Sequence, residues 1–414
     1  MKVLWIINAP FPTVSKELNL DSYVKGWVYS SAIELIKNNS EIELAVASIY
    51  DGKKFMELVS GKIKHFLIPQ IARLDAANTK NDIYWQKVKK LFNPDLIHIH
   101  GTEYPYSYSF VRACGANKVI VSIQGLVSVI DRYYLGGISK KELKNNITLR
   151  DIVRKDTVFS KHRNLKFRAK YEVKLLQNVK HIIGRTIWDK IHAKEINSNL
   201  NYHFCNETLR DSFYNNKWSP DSCTKHSIFV SQANYPLKGF HQLVKALPSV
   251  VKKFPDTKVY VAGKKVYNKN GIINNGYGRY LNKLISKYKL NKYIIYTGFL
   301  SEQEMCQYFI LANVTVSPSI IENSSNSIGE AQVMGVPCIA TYAGGTPDMI
   351  EHGKTGLLYR FEEHEMLASY ICKIFSDDKF AQYLSGNSIN EASKRHNRTE
   401  NAKTLFSIYS KIRS

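Results

Sequence analysis

Short apolar segments recur along the chain, separated by segments whose apolar positions have helical spacing. Two series of six segments occur, at residues 3–7, 41–48, 64–68, 95–100, 118–123 and 179–183, and at 226–231, 258–263, 293–298, 313–318, 337–341 and 355–359. Nearly continuous apolar strands that alternate with helices are typical of parallel sheets buried on both faces. Because the pattern occurs twice, the sequence predicts an α/β fold of two doubly wound, Rossmann-like domains that face each other across a cleft.

The polar stretch 206–222 breaks this rhythm and marks the predicted changeover between domains. We therefore predict a first domain over 1–205 and a second over 206–389, with a helix at about 390–414 that packs back on the first. Within the second domain, residues 240–254 have the spacing of an amphipathic helix. Pro248 is expected to kink that helix or to split it into two turns.

Composition indicates a globular protein of two ordinary domains, since the 414 residues are 44% hydrophobic. No run of about 18 uninterrupted apolar residues occurs, so no membrane-spanning helix is expected. Six cysteines are scattered without a C-x-x-C pair, which supports neither a disulfide framework nor a zinc site. These features predict a protein that stays in the cytosol.

The net charge of +23 indicates attraction to an anionic partner. The excess of positive charge is concentrated between Lys140 and Lys174, a stretch with twelve lysines and arginines but only four acidic residues. Three interpretations stay open for this basic region: a solvated face, a surface for a membrane or an acceptor, or a nucleic-acid site. If it lies against anionic lipid, Phe159, Phe167 and Tyr171 are expected to contact the bilayer.

Two glutamates, Glu322 and Glu330, stand eight positions apart between a predicted strand and a predicted helix. Glu322 falls in the loop at the carboxyl end of the strand, where ligands bind in such sheets. The amide groups of Asn326, Ser327 and Ile328 near the helix start favour an anion there. An alternative is a capping box, in which Glu330 folds back to the amide of Ser327.

The spacing of these glutamates belongs to a longer motif. It is followed by A-x-x-x-G-x-P at 331–337, by GGTPD at 344–348 and by GKTGLL at 353–358. The combination resembles the signature of the group 1 family of retaining glycosyltransferases, which is related to glycogen synthase. The likeness is densest from about 226 to 360. It implies the GT-B fold, in which the second domain binds most of the donor.

The resemblance also implies roles for individual residues. Glu330 would hold the ribose hydroxyls of a nucleotide sugar, and Glu322 would contact the donor sugar near its reacting carbon. The family usually has an arginine and a lysine after the first strand of the second domain; here the lysine is Lys238, followed by Gly239, but the arginine position holds Gln232. A missing stabilising contact of this kind costs roughly 100-fold to 1000-fold in rate.

Six further residues are candidates, each with an alternative or a departure from the family. Arg185 is a candidate to replace the missing cation, or else is structural or binds the acceptor. His100 could reach the cleft, or it is a core histidine; Gln124 stands where the family often has histidine, and Gly26 alone remains of a glycine-rich first loop. Phe299 and Leu300 match the positions that hold the base, or they pack in the core.

The resemblance predicts an enzyme that moves a sugar, with retention, from a nucleoside diphosphate to a glycan or lipid-linked glycan, in surface polysaccharide biosynthesis of the capsule or O-antigen type. Its expected partners are the nucleotide sugar, the acceptor and an anionic membrane surface, without specific nucleic acid. No metal or other cofactor is expected. The predicted location is the cytoplasm, including the cytosolic membrane face. The alternatives are a non-hydrolysing sugar-nucleotide epimerase and a basic nucleic-acid-binding protein.

Overall fold

The chain forms two compact units. The computed structural model describes residues 1–20, 26–69, 79–263 and 275–413. The first unit comprises Met1–Val129, Leu165–Leu209 and His396–Ser414, and the second comprises Ile130–Asn164 and Arg210–Arg395. The last segment of the chain thus belongs to the first unit.

The segment Ile130–Asn164 lies in the second unit, whereas the predicted boundary assigned all of 1–205 to the first domain. Buried polar contacts attach it there. The Gly276 amide donates to the buried Asp151 carboxylate at 2.7 Å, and His241 Nε2 donates to the Gly136 carbonyl oxygen at 2.8 Å. Contacts between residues so far apart in sequence leave no local pattern, which is why the boundary differs from the prediction.

Fourteen strands occur among the described residues. They are β1 (Lys2–Ile7), β2 (Glu43–Tyr50), β3 (Met56–Ser60), β4 (Ile63–Pro69), β5 (Leu96–His100), β6 (Val119–Ser122), β7 (His181–Gly184), β8 (Asn201–Phe204), β9 (Thr224–Val230), β10 (Lys258–Ala262), β11 (Ile294–Gly298), β12 (Ala312–Ser317), β13 (Cys338–Thr341) and β14 (Leu357–Tyr359). All twelve predicted strands are present, and β3 and β8 are additional.

Sixteen α-helices occur in the same described part of the chain. They are α1 (Pro12–Glu17), α2 (Gly26–Asn38), α3 (Asp82–Phe92), α4 (Pro105–Cys114), α5 (Val127–Ile130), α6 (Lys140–Asn145), α7 (Leu149–Val153), α8 (Val158–Asn178), α9 (Ile187–Ile196), α10 (Phe240–Lys253), α11 (Gly276–Lys287), α12 (Glu302–Leu311), α13 (Asn326–Met334), α14 (His364–Ser376), α15 (Asp378–Arg395) and α16 (Arg398–Arg413).

The first unit is built on an eight-stranded sheet with the order β3-β4-β2-β1-β5-β6-β7-β8. Neighbouring strands are parallel except β3, which pairs antiparallel with β4. Helix α16 packs beside α2, and Tyr409 of α16 accepts a hydrogen bond from Trp5 Nε1 of β1 at 2.9 Å. The strand order reverses between β1 and β5, which is where doubly wound sheets bind ligands.

The second unit is built on a parallel six-stranded sheet with the order β11-β10-β9-β12-β13-β14. Its first strand, β9, lies between β10 and β12, so the chain winds first to one side and then to the other. The reversal between β9 and β12 is the topological switch point of this sheet. A crevice at the carboxyl ends of these two strands is therefore the expected ligand site.

Helix α10 runs unbroken through Pro248, so the predicted split into two turns is wrong. Its apolar residues Leu243, Val244 and Leu247 are fully buried. Packing of that face stabilises the helix although the proline lacks a backbone donor. Within the described residues, no helix combines the length and the apolar character that crossing a bilayer requires.

Candidate functional site

A pocket lies at the switch point of the second sheet, and we call it the switch-point pocket. Its volume is about 260 Å³. The lining residues are Val230, Ser231, Gln232, Lys238, Val316, Ser317, Pro318, Ser319, Glu322 and Ser327. Four residues predicted from the sequence are thus brought together: Gln232, Lys238, Glu322 and Ser327. They come from the loops after β9 and β12 and from the start of α13.

The loop after β9 is fixed against the loop after β12. Gly239 has a φ of +64°, and an added Cβ would lie 1.7 Å from the Pro318 carbonyl oxygen. The Ile320 amide donates to the Leu237 carbonyl oxygen at 2.8 Å. Position 239 therefore accepts only glycine. This close approach sets the neighbouring Lys238 in the wall of the pocket.

Glu322 is held through its backbone by the glycine pair of the GGTPD segment. The Gly345 amide donates to the Glu322 carbonyl oxygen at 2.9 Å. Gly344 has a φ of +59°, and a Cβ added there would lie 1.9 Å from the same oxygen. The GGTPD segment thus has a local structural role, because its glycines let the chain pass directly against the backbone of Glu322.

Replacing Gly344 by alanine should therefore lower the free energy of unfolding by more than backbone strain alone would, because the added Cβ also collides with the Glu322 carbonyl oxygen. Gly61 is a matched control, because it has a φ of +61° and nothing lies within 4 Å of its added Cβ. We expect Gly61→Ala to lower the free energy of unfolding by about 1–2 kcal/mol, and Gly344→Ala to lower it by about 2 kcal/mol more. Urea denaturation measures both losses. Equal losses in the two variants would contradict a tight contact between Gly344 and Glu322.

Lys238 and Glu322 form an ion pair inside the pocket. The distance between Lys238 Nζ and Glu322 Oε1 is 2.5 Å, and each side chain is 19% exposed. Burial alone would lower the pKa of Lys238, but the adjacent Glu322 carboxylate outweighs burial and raises that pKa above its usual value. Lys238 is therefore a permanent cation, and Glu322 fixes its ammonium group at the pocket.

The N-terminal end of α13 reaches the same pocket through Ser327. The N-cap residue, Ser325, forms no side-chain cap, and its hydroxyl group lies 3.0 Å from that of Ser327. The Ile328 amide donates to the Ser325 carbonyl oxygen at 3.1 Å, and the Ile328 side chain is buried in the core. The positive end of the α13 dipole thus reaches the pocket at Ser327, whereas the Ile328 amide is used in a hydrogen bond within the first turn of the helix. Asn326 is not among the lining residues, and its contact with the donor stays a prediction.

Glu330 is 3% exposed and pairs with Arg210. Its two carboxylate oxygens accept from Arg210 Nε at 2.7 Å and Nη2 at 2.8 Å. Burial raises the pKa of Glu330, and the hydrogen bonds from Arg210 oppose that rise. The capping-box alternative is wrong, because α13 begins at Asn326 and Ser327 is already inside it. Glu330 is not among the lining residues of the switch-point pocket, so its ribose-binding role stays a prediction.

Phe299 and Leu300 follow β11 at the carboxyl edge of the same sheet. The side chain of Phe299 is 56% exposed, whereas that of Leu300 packs against the hydrophobic core of the second unit. Core packing therefore accounts for Leu300. Contact between Phe299 and a nucleotide base stays a prediction.

Comparison with known proteins identifies a family for the part of the chain that carries the site. Residues 213–391 match the family model described as glycosyl transferases group 1. That range contains the whole switch-point pocket and Glu330. The match places residues 213–391, and the site within them, in the group 1 glycosyltransferase family. The resemblance inferred from the motif is confirmed.

A curated relative matches part of the chain. Spore coat protein SA of Bacillus subtilis is 27% identical over 188 residues, which are 45% of this chain and 48% of that protein. The chain spans less than half the length of the first curated relatives it matches.

Two solved structures resemble the whole fold. Sucrose-phosphate synthase from Thermosynechococcus elongatus has a TM-score of 0.74 at 15% identity, covering 100% of this chain and 99% of its own. HepE from Anabaena, in complex with UDP and glucose, has a TM-score of 0.66 at 16% identity, covering 99% and 100%. At these identities the likeness shows the fold alone, and it confirms the predicted GT-B class with two doubly wound domains.

The first unit, which lies outside the range matched by the family model, has a pocket of its own. It has a volume of about 360 Å³ and lies at the carboxyl ends of β5, β6 and β7. Arg185 lines it, donates from Nη2 to the Ile123 carbonyl oxygen at 3.0 Å and pairs through Nη1 with Glu207. Gln124 Nε2 also donates to Glu207, at 2.9 Å. The charge of Arg185 is thus matched by Glu207, and its role as a substitute cation stays a prediction.

His100 and Gly26 take structural places in this unit. His100 is 5% exposed, stacks on His98 with 3.8 Å between ring centroids, and lies 4.3 Å from the ring of Trp5. Burial lowers the pKa of His98 to about 3. The core-histidine alternative therefore describes His100, although its ring also lines the pocket. Gly26 begins α2, and it is the next residue, Trp27, that reaches the pocket.

Arg210 and Glu207 are the site residues that sequence reasoning missed. Both lie in the stretch 206–222, whose polar sequence predicts a changeover between domains. Arg210 pairs with a residue 120 positions away, and Glu207 with Gln124, 83 positions away. The only signal in the sequence is the polar composition of this stretch. A linker and a binding site can both have that composition, so it does not distinguish them.

Proposed function

We propose that this protein is a retaining glycosyltransferase that moves a sugar from a nucleoside-diphosphate donor to a glycan or lipid-linked glycan acceptor. One observation carries the proposal: the switch-point pocket joins Lys238, Glu322 and the start of α13 in one volume. A lysine and a helix N-terminus are suited to a diphosphate. The solved complex of HepE with UDP and glucose supports a nucleotide-sugar donor.

The chemistry assigned to the pocket is the stabilisation of opposite charges. As the bond between the anomeric carbon and the phosphate oxygen breaks, positive charge grows on the sugar and negative charge on the departing diphosphate. Lys238 and the positive end of α13 neutralise the diphosphate, and Glu322 both orients Lys238 and stabilises the sugar. In this proposal the acceptor oxygen attacks from the face that the leaving group vacates, and its proton passes to the departing phosphate, so the configuration is retained.

The proposal assigns charge neutralisation to protein groups and requires no metal ion. The support is the Lys238 ammonium group, which Glu322 fixes at 2.5 Å. Gln232 occupies the place of the second cation and supplies an amide donor instead. We expect transfer to continue in the presence of EDTA.

The acceptor is assigned to the first unit, and the pathway to surface polysaccharide biosynthesis of the capsule or O-antigen type. A lipid-linked acceptor would be presented at the cytosolic face of a membrane. The twelve lysines and arginines between Lys140 and Lys174 support this, because anionic lipid attracts a basic surface by about 1 kcal/mol per well-placed cation. The protein would then be cytoplasmic and peripheral to the membrane.

A thermal-shift panel of UDP-, GDP-, ADP- and CMP-linked sugars tests the donor assignment. A ligand that binds only the folded protein at 100 times its dissociation constant stabilises it by about 2.7 kcal/mol. We expect one nucleotide class to raise the melting temperature and the others to leave it unchanged. Absence of any shift contradicts the proposal. If the protein instead converts the donor to an isomeric sugar nucleotide in the absence of an acceptor, it is an epimerase and the glycosyltransferase proposal is wrong.

A further inference from the structure

The short helix α7 has its apolar side chains on the outside. Leu149, Ile152 and Val153 are 82%, 61% and 81% exposed, and their spacing places them on one face of the helix. The acidic residue of the same helix, Asp151, is 1% exposed. This is the reverse of a surface helix of a globular protein, which buries its apolar face. We call the three exposed side chains the α7 apolar face.

Hydrogen bonds hold α7 in this orientation. Asp151 accepts from the Gly276 amide at 2.7 Å and from the Thr148 amide at 3.1 Å. Thr148 Oγ1 accepts in turn from the Asp151 amide at 3.2 Å, which completes a capping box. Arg279 Nη1 donates to the Ile147 carbonyl oxygen at 3.3 Å. The helix cannot roll its apolar face inward without breaking the buried contacts of Asp151.

Exposed cations flank α7 in the sequence on both sides. They are Lys140, Lys141, Lys144, Arg154 and Lys155. Three carboxylates lie nearby: Asp151 is engaged as described, Asp156 pairs with Arg150 and Lys161 at 3.4 and 3.7 Å, and the exposed Glu142 accepts from Ser139 Oγ at 3.0 Å. The aromatic residues expected to meet lipid are placed less favourably, because Phe159 packs against the core and Phe167 packs edge to face on Tyr171 at 5.1 Å.

We propose that α7 is a membrane anchor whose apolar face inserts among the acyl chains of an anionic bilayer, with the surrounding cations at the lipid headgroups. The inference deepens the proposed function, on which the membrane partner rests. Charge complementarity selects this occupant, since a second copy of the chain would bring like charges together. A nucleic acid would engage the cations and leave the aliphatic side chains in water. Apolar burial and attraction to anionic lipid add together in such surface helices.

Sedimentation with vesicles of about 30% phosphatidylglycerol in phosphatidylcholine tests the anchor. We expect the double variant Leu149→Gln, Val153→Gln to bind at least about tenfold more weakly than the wild type. Ile83→Gln is the matched control, because Ile83 is an exposed apolar residue, 67% exposed, on α3. It should bind like the wild type. Equal binding of the double variant and the wild type would overturn the proposal.

Insertion itself is read by fluorescence. Leu149→Trp should add an emission that lipids brominated on their acyl chains quench, whereas Ile83→Trp should add one that they do not quench. Added emission from position 149 that stays unquenched in vesicle-bound protein would show binding without insertion and would overturn the anchor.

Donor binding separates this inference from the proposed function. The double variant should keep the same thermal shift with the stabilising sugar nucleotide as the wild type, because α7 is no part of the switch-point pocket. Loss of vesicle binding with the donor shift intact supports the anchor. If vesicles bind through α7 but no sugar nucleotide shifts the melting temperature, the anchor stands and the donor assignment fails.

Discussion

Replacing Lys238 by alanine should lower the rate of sugar transfer roughly 100-fold to 1000-fold while the protein stays folded. Removal of one group that stabilises developing charge in an active site has this effect. Gln232 stands where the family usually has a second cation, so under the proposed function Lys238 would carry a larger share of the diphosphate charge. Its side chain is 19% exposed, and its loss leaves the apolar core intact. Initial rates at saturating donor, together with circular dichroism, measure the two effects.

Lys354→Ala is the matched control for this variant. Lys354 also pairs with a glutamate, Glu351 at 2.9 Å, but on the surface with both side chains about half exposed. Surface pairs contribute little, about 0–1 kcal/mol, so its transfer rate should equal that of the wild type. Unchanged turnover in Lys238→Ala would contradict the assignment of the diphosphate to the switch-point pocket.

The second large effect is expected for Glu330→Gln. The substitution leaves the Arg210 guanidinium without its carboxylate partner, and breaking a buried pair from one side is strongly destabilising. We expect a loss of about 3 kcal/mol in the free energy of unfolding, the low end of the range for buried pairs, because Arg210 is 22% exposed. If Glu330 also binds the donor ribose, the affinity for the sugar nucleotide falls about tenfold as well.

The double variant Arg210→Gln, Glu330→Gln distinguishes these two roles. Two facing amides can hydrogen-bond to each other without a buried charge, so the double variant should recover most of the stability. Donor affinity should stay low if the Glu330 carboxylate binds ribose. Recovery of affinity together with stability would contradict that role and leave Glu330 as a structural anchor of Arg210.

Arg210→Gln alone gives a pH test of the same pair. Burial raises the pKa of Glu330, and Arg210 opposes that rise, so removal of Arg210 should raise the pKa further. A carboxyl group whose pKa is raised by folding favours the folded protein while it is protonated. The variant should therefore lose stability, relative to the wild type, as the pH rises through the raised pKa of Glu330.

The sequence predicted the parallel sheets well because buried strands carry their signal locally. All twelve predicted strands are present, each a run of apolar residues. The two missed strands lie at opposite edges of the first sheet. Strand β3 alternates half-buried and exposed positions, and β8 has no fully buried residue. An edge strand that is half exposed has no continuous apolar run to recognise.

The candidate site was predictable where a motif fixes the backbone and not where side chains meet across the chain. Lys238 and Glu322 were predictable because each is positioned by a glycine of a recognisable motif. Gly239 follows Lys238 and packs against Pro318, and Gly344 packs against the backbone of Glu322. The partners Arg210 and Glu207 escaped because their positions depend on tertiary packing. For the same reason the sequence left a cap on its own helix as an alternative for Glu330, although its partner, Arg210, lies on another segment.

A crystal structure of the protein soaked with the nucleotide sugar that raises its melting temperature is the most direct test of the central claim. We expect the diphosphate at about 3 Å from Lys238 Nζ and from the Ser327 end of α13, within hydrogen-bond distance. Density for the nucleotide at another place, with the Lys238 to Glu322 pair unchanged and the switch-point pocket empty, would contradict it.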